Sequence, residues 1–165
     1  MIIWITGISG VGKTTLALEL YKEIKKKKSN SVHIDGDNFR KLFNNDLGFS
    51  LNDRNKNAER LISFVKYLYS QKIIMVVSAN LTNPKYLKLC KRKFKRFVHV
   101  HIECPLKHLK KRDPKKIYKK NKNIVGLQIN AIQYRKAKVY IYNNKTKKNL
   151  LSYKKKILRI FKKVQ

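Results

Sequence analysis

Along the 165 residues, short runs of uninterrupted apolar positions alternate with longer stretches in which apolar residues recur every three or four places. Blocks of the first kind read as buried strands and those of the second as amphipathic helices. The pattern predicts strands near 2–6, 31–34, 73–77, 97–103 and 138–142, and helices near 13–27, 38–45, 53–71, 84–95, 106–112 and 147–163. Strands that are apolar on both faces and separated by helices belong to a parallel sheet covered on both sides. The expected fold is therefore α/β in three layers, a mostly parallel five-stranded sheet between helices. Ligands of such sheets bind beyond the carboxyl ends of the strands. Pro84, Pro105 and Pro114 fall where elements should begin or end, and no repeat or linker interrupts the chain, so one domain over 1–165 is expected. Residues 113–130 show no clear period and many lysines, which reads as a mobile loop or lid.

Composition narrows the class. Hydrophobic residues make up 42% and aromatic residues 10%, too apolar for a disordered chain, and no apolar run approaches the length of a membrane span. Met1 leads straight into Ile2, Ile3, Trp4 and Ile5 without a basic segment or cleavage site, so no signal peptide is expected and the expected location is the cytoplasm. Cys90 and Cys104 form neither a disulfide framework nor a metal spacing, in keeping with a reducing compartment. The 33 Lys and 8 Arg against nine acids give a formal net charge of +32. Charge of that size alone suggests a binder of nucleic acid or of an anionic surface. The excess is lysine, in a chain also rich in Asn and Ile, and all three have AT-rich codons, so compositional drift at solvated positions explains it. No membrane and no specific nucleic-acid partner are expected; a protein that binds RNA through this basic surface is the alternative of a different class. Seven of the nine acids lie in residues 1–60, where the candidate chemistry also falls.

Directly after the first expected strand stands Gly7-Ile8-Ser9-Gly10-Val11-Gly12-Lys13-Thr14, an intact G-x-x-x-x-G-K-S/T, followed by the helix-forming Thr15, Leu16, Ala17, Leu18 and Glu19. Strand, loop and helix come in the order a phosphate-binding loop requires. The glycines allow backbone angles that turn successive N–H groups inward, and the helix N-terminus adds positive potential. Gly7, Ser9, Gly10, Val11, Gly12, Lys13, Thr14 and Thr15 are thus candidates to bind ATP. Lys13 would reach the β- and γ-phosphates, and the Thr14 hydroxyl would ligate Mg2+.

At the end of the second expected strand come Asp35-Gly36-Asp37-Asn38-Phe39-Arg40, then Asp46-Leu47-Gly48-Phe49-Ser50, and Asp53-Arg54 with Asn57 one helical turn later. Together with the loop, these segments resemble the adenylylsulfate kinases, whose pattern reads approximately GLSGxGKST, DGDNxR, DLGFSxxDRxxN and RDPKGLY. The resemblance runs from Met1 to about Asn144. It implies a P-loop kinase that phosphorylates the 3′-hydroxyl of adenosine 5′-phosphosulfate with ATP to give PAPS, the activated sulfate donor, and it suggests a homodimer. By position, Asp35 resembles the carboxylate near the acceptor hydroxyl and the metal, where a general base or a magnesium-water ligand is needed. Asp37, Arg40, Arg54 and Asn57 resemble acceptor-binding residues; two guanidinium forks suit a phosphosulfate. Phe49 resembles one face of an adenine clamp.

The segment Arg112-Asp113-Pro114-Lys115-Lys116-Ile117-Tyr118-Lys119 resembles RDPKGLYK with Lys116 in place of glycine. It offers Lys115 and Lys119 as lid cations and Arg112 as a contact on the ATP side. Other positions depart from the family. Ile124-Val125-Gly126-Leu127-Gln128 stands where FTGID is common, so the aromatic partner of Phe49 is missing. Asn83 takes the place of the serine in an ISP motif near the acceptor, and the stretch after Gly126 loses PYE..P. These changes gather on the acceptor and lid. Relatives of this family act on another nucleotide-linked acceptor, cytidine diphosphoramidate, in surface-polysaccharide pathways, and that acceptor is the alternative within the enzyme reading. His99 and His101 alternate along one expected strand, with no third ligand at metal spacing, and read as structural; His33 and His108 are isolated.

Overall fold

The computed structural model describes residues 1–112, 123–144 and 147–163. Five strands, β1 (Ile2–Thr6), β2 (Ser31–Asp35), β3 (Ile74–Ser78), β4 (Phe97–Glu103) and β5 (Val139–Tyr142), form one sheet in the order β2-β3-β1-β4-β5. Every pairing is parallel. The helices are α1 (Lys13–Lys25), α2 (Gly36–Lys41), α3 (Leu51–Ser70), α4 (Pro84–Lys93), α5 (Leu106–Arg112) and α6 (Lys147–Lys163).

Alternation along the central strand divides the core into two layers. Ile3 and Ile5 of β1 face Leu16 and Leu20 of α1 and Leu150, Ile157 and Phe161 of α6. Ile2 and Trp4 face Leu61 and Val65 of α3 and Leu87 and Cys90 of α4. The Trp4 indole N–H donates to the Ala79 carbonyl at 3.0 Å, so the largest buried side chain leaves no polar atom unpaired. Cys90 and Cys104 are both buried and are not joined in a disulfide. Among the described residues, no helix is long and apolar enough to cross a membrane.

Caps move several boundaries from those the periodicity predicts. The second helix starts at Gly36 rather than near 38, because the Asp35 carboxylate accepts from the amides of Asp37 and Asn38 and caps it. It stops at Lys41, ahead of Asn44 and Asn45 with φ of 50° and 53°. The third helix starts at Leu51 because Ser50 accepts from the Asp53 amide at 3.1 Å while its hydroxyl donates to the Asp53 carboxylate at 2.6 Å. Of the expected lid, the described part is a closed turn: Gly126 has φ of 97° and donates to the Ile129 carbonyl at 2.7 Å. Lys115 and Lys119 lie outside the described residues, as does the side chain of Arg112.

The topology creates a crevice. β1 leads into α1 on one face of the sheet, whereas its neighbour β3 leads into α4 on the other. The loops after these two adjacent strands diverge, and the space between them lies beyond their carboxyl ends.

Candidate active site

The loop after β1 borders this crevice. Gly7 has φ of 141°, and a Cβ there would stand 2.3 Å from the Ile102 carbonyl oxygen, so only glycine fits. Gly10 and Gly12, with φ of 79° and 103°, complete the turn. Val11, fully buried between them, pins the loop to the core, while Gly10 is exposed and Ser9 and Thr15 are half-buried. Gly12 begins α1 and has no side chain to cap it, the arrangement in which a helix N-terminus receives an anion. Lys13 curls back over the loop, its ammonium donating to the Ile8 carbonyl at 2.9 Å.

Asp35 closes the opposite side. One carboxylate oxygen serves the α2 cap, and the other accepts from the hydroxyls of Thr14 and Ser78, each at 2.8 Å. Burial pushes its pKa up, but the hydrogen bonds from Thr14, Ser78, Asn38 and Asp37 outweigh burial and hold it below the ordinary carboxylate value. Because the Ser78 hydroxyl donates to Asp35, it accepts from His33 Nε2 at 3.0 Å, which places the proton of that imidazole on Nε2. Neither Ser78 nor His33 was expected here. Ser78 is the one polar residue of an otherwise apolar strand, whereas His33 lies in an alternating strand between Ser31 and Asp35 and carries no such signal.

The Thr14 hydroxyl and Asp35 carboxylate form a pair of hard oxygen donors, which fits Mg2+. Among the described residues, no group of three or more His, Cys, Asp or Glu could hold a metal by itself. A magnesium ion at such a pair takes its remaining ligands from phosphate oxygens and water.

The acceptor side is built around Phe49, which is 54% exposed. Arg40 and Arg54 flank its ring at 4.9 and 5.4 Å from the centroid. Arg40 is buried and braces the loop, donating to the carbonyls of Leu47 and Gly48 at 3.0 and 2.7 Å. Arg54 donates to the Phe49 carbonyl and to the Asn123 carbonyl, each at 2.9 Å, tying α3 to the segment that carries Ile124. Asp37 faces both guanidinium groups, and its charge opposes the burial that lowers their pKa values. Asn57 lies one turn beyond Arg54, with a buried Oδ1 that has no hydrogen-bond partner among the described residues. Asn83 caps α4, its Oδ1 accepting from the Lys85 amide at 3.0 Å. Ile124 is only 4% exposed, and its branched aliphatic side chain offers no aromatic face to pair with Phe49.

Beneath the loop, the Thr6 hydroxyl bonds His99 Nε2 and His101 Nδ1, each at 2.8 Å, and Tyr134 meets both rings edge-on. Both histidines share one sheet face, as strand alternation predicts, and pack as core.

A glycine-turned loop at a helix N-terminus, facing a strand-end carboxylate across a parallel sheet of this order, defines the P-loop class of α/β proteins. The family model for adenylylsulphate kinase matches residues 1–138, and the chain belongs to that family. It is 39% identical over 124 residues to an adenylyl-sulfate kinase of Clostridium acetobutylicum, a match covering 74% of this chain and 62% of that one. It is 37% identical over 121 residues to an adenylyl-sulfate kinase of Buchnera aphidicola, covering 72% and 59%. The match thus spans about six tenths of the length of these curated relatives. Among solved structures, an APS kinase of Mycobacterium tuberculosis in complex with AMPPNP and APS superposes with a TM-score of 0.81 at 26% identity, covering 98% of this chain and 96% of that chain.

Proposed function

We propose that the chain transfers the γ-phosphoryl group of Mg-ATP directly to the 3′-hydroxyl of adenosine 5′-phosphosulfate, giving PAPS. The observation that carries this reading is the 2.8 Å contact between the Thr14 hydroxyl and the Asp35 carboxylate, which joins the triphosphate side of the crevice to the acceptor side. Family membership and the relatives' names support the substrate pair.

In this reading the amides around Gly10, Gly12 and Lys13 hold the β- and γ-phosphates, and the Lys13 ammonium leaves the Ile8 carbonyl for a phosphate oxygen. Arg112 contacts the ATP side, and Lys115 and Lys119 meet the transferred group. Magnesium held by Thr14 and Asp35 would neutralise charge on the phosphate oxygens. Phe49 stacks the acceptor base, and Arg54, with Asp37 and Asn57, holds the phosphosulfate end. Arg40 acts by fixing the loop that carries Phe49. The depressed pKa of Asp35 makes it a weak base, so it orients the acceptor hydroxyl and takes the proton only late, as a loose phosphoryl-transfer transition state permits. Most of the acceleration is alignment and charge stabilisation.

A second acceptor is favoured by one observation. With Ile124 in place of an aromatic residue, the base clamp has one ring only, which relaxes selection for adenine and admits cytidine diphosphoramidate. An ATP-consumption assay with each acceptor, the product identified by mass, separates the two, and turnover of neither overturns the kinase reading. Lys13→Ala is expected to lower kcat by about 100-fold or more, and Arg54→Ala to raise the acceptor KM about tenfold with little change in the KM for ATP. Retained turnover in the first variant removes Lys13 from the reaction. The homodimer suggested by the family resemblance belongs to the proposal, and sedimentation of the purified chain tests it.

A further inference from the structure

Asn143 follows β5 directly and is 3% exposed. Its backbone N–H donates to the Glu103 carbonyl at 2.7 Å, which fixes it to the end of β4. Its side-chain Nδ2 donates to the Val11 carbonyl at 2.9 Å, across 132 residues of sequence. Its Oδ1 is buried with no partner among the described residues. The amide is therefore oriented by Val11 alone, since the reverse orientation would set two carbonyl oxygens against each other.

Val11 stands between two glycines of positive φ, Gly10 and Gly12. The Val11 carbonyl and the Gly12 N–H belong to one planar trans peptide unit and point in opposite directions. That unit turns on Val11 ψ and Gly12 φ, and glycine at the second of these leaves it less resistance to rotation than any other residue would. The bond from Asn143 draws the carbonyl toward the sheet, so the Gly12 N–H is aimed to the opposite, concave side of the loop. We infer that Asn143 is a positioning residue: by holding the Val11 carbonyl inward, it aims the Gly12 amide at an oxygen of a bound polyphosphate. This rests on the reading of the loop as a triphosphate cradle. Asn143 lies beyond residues 1–138, which the family model matches, and it acts without touching the nucleotide. A donor aimed before binding needs no ordering when the ligand arrives, so the gain appears in affinity.

Asn143→Leu tests this on the full chain. The substitution removes the orphaned Oδ1 and leaves the Val11 carbonyl without its donor, exchanging one buried unpaired acceptor for another. Tm is therefore expected to stay within about 3 °C of the parent. Magnesium tripolyphosphate is expected to bind about tenfold more weakly by calorimetry, the downfield shift of the Gly12 amide proton on binding should shrink, and acceptor affinity should not change. Asn143→Ala removes the donor without adding a charge and gives the same comparison should the leucine variant not fold. Parental tripolyphosphate affinity in a folded variant overturns the role of Asn143, as does a parallel loss of Tm and acceptor affinity, which would mark Asn143 as a packing residue only. Failure of the parent chain to bind tripolyphosphate removes the cradle reading and this inference with it.

Discussion

Thr6 can donate only one hydrogen bond, so of the two ring nitrogens that meet it, at least one carries a proton. Burial holds the pKa of His99 down to about 3 and that of His101 to about 4, with each further lowered by a nearby cation, and burial lowers His33 as well. Unfolding returns each imidazole to about 6.5, so between these values the unfolded chain binds more protons than the native one. Stability is then complete above about pH 6.5 and is lost progressively as the pH falls toward 4 and 3. Asp35, held low by its hydrogen bonds, adds to this loss only below its ordinary value of 3.8. Urea unfolding is expected to show a loss on the order of 2–4 kcal/mol between pH 7 and pH 5. The double variant His99→Gln/His101→Gln should show a flatter profile, and an unchanged slope would remove the buried pair as its cause. At this scale the sequence was readable where a task is local. Gly7 to Thr15 and the Asp35 cap act through their immediate neighbours, and spacing reveals them. Ser78 and Asn143 reach the site from 43 and 132 residues away, and no local pattern records such contacts.

The elements were readable through their periods, and their ends were not, because the ends are decided by caps. An alternating or helical period continues through Asp35 and Ser50 without marking that their side chains turn back onto the backbone. The period also does not say which helix supports which loop. The final helix, α6, reads as a cover for the sheet, and Ile157 and Phe161 do cover it. Its first turns do something more specific: a Cβ on Gly12 would lie 2.5 Å from Leu150 Cδ2, so Leu150 packs directly against the loop. Lys154 lies within 4 Å of Glu19 and Glu23 of α1, at 3.9 and 3.6 Å, and orients the two helices, although exposed pairs of this kind contribute little stability. Leu150 is 2% exposed, and Leu150→Ala is expected to cost about 2–4 kcal/mol in urea unfolding. The cavity opens beside Gly12, so triphosphate affinity should fall with stability in this variant, in contrast to Asn143→Leu. Unchanged affinity in Leu150→Ala would show that the loop keeps its shape without the helix.

On the scale of the whole molecule, charge is divided unevenly. Residues 1–60 carry eleven bases and seven acids, a net of +4, whereas residues 61–165 carry thirty bases and two acids, a net of +28. The second part supplies helices to both faces of the sheet, α4 on one and α6 on the other, so the excess surrounds the fold, while Asp35 meets the phosphate-binding loop and Asp37 and Asp53 face Arg40. A compositional origin for the lysines would say nothing against their acting on substrates that carry several negative charges. A field of this sign accelerates the encounter with such substrates and is screened over about 10 Å at 0.1 M salt. It does not act on the bound complex, where the same ligands are already in contact with the loop. The acceptor kcat/KM is therefore expected to fall about five- to tenfold between 20 and 300 mM potassium chloride, with kcat changing less than about twofold. RNA added at low salt should inhibit by occupying the same field, with a steep salt dependence of its own. A kcat/KM that stays flat across this range, in a chain whose RNA affinity still falls steeply, would leave the lysine excess without any part in catalysis.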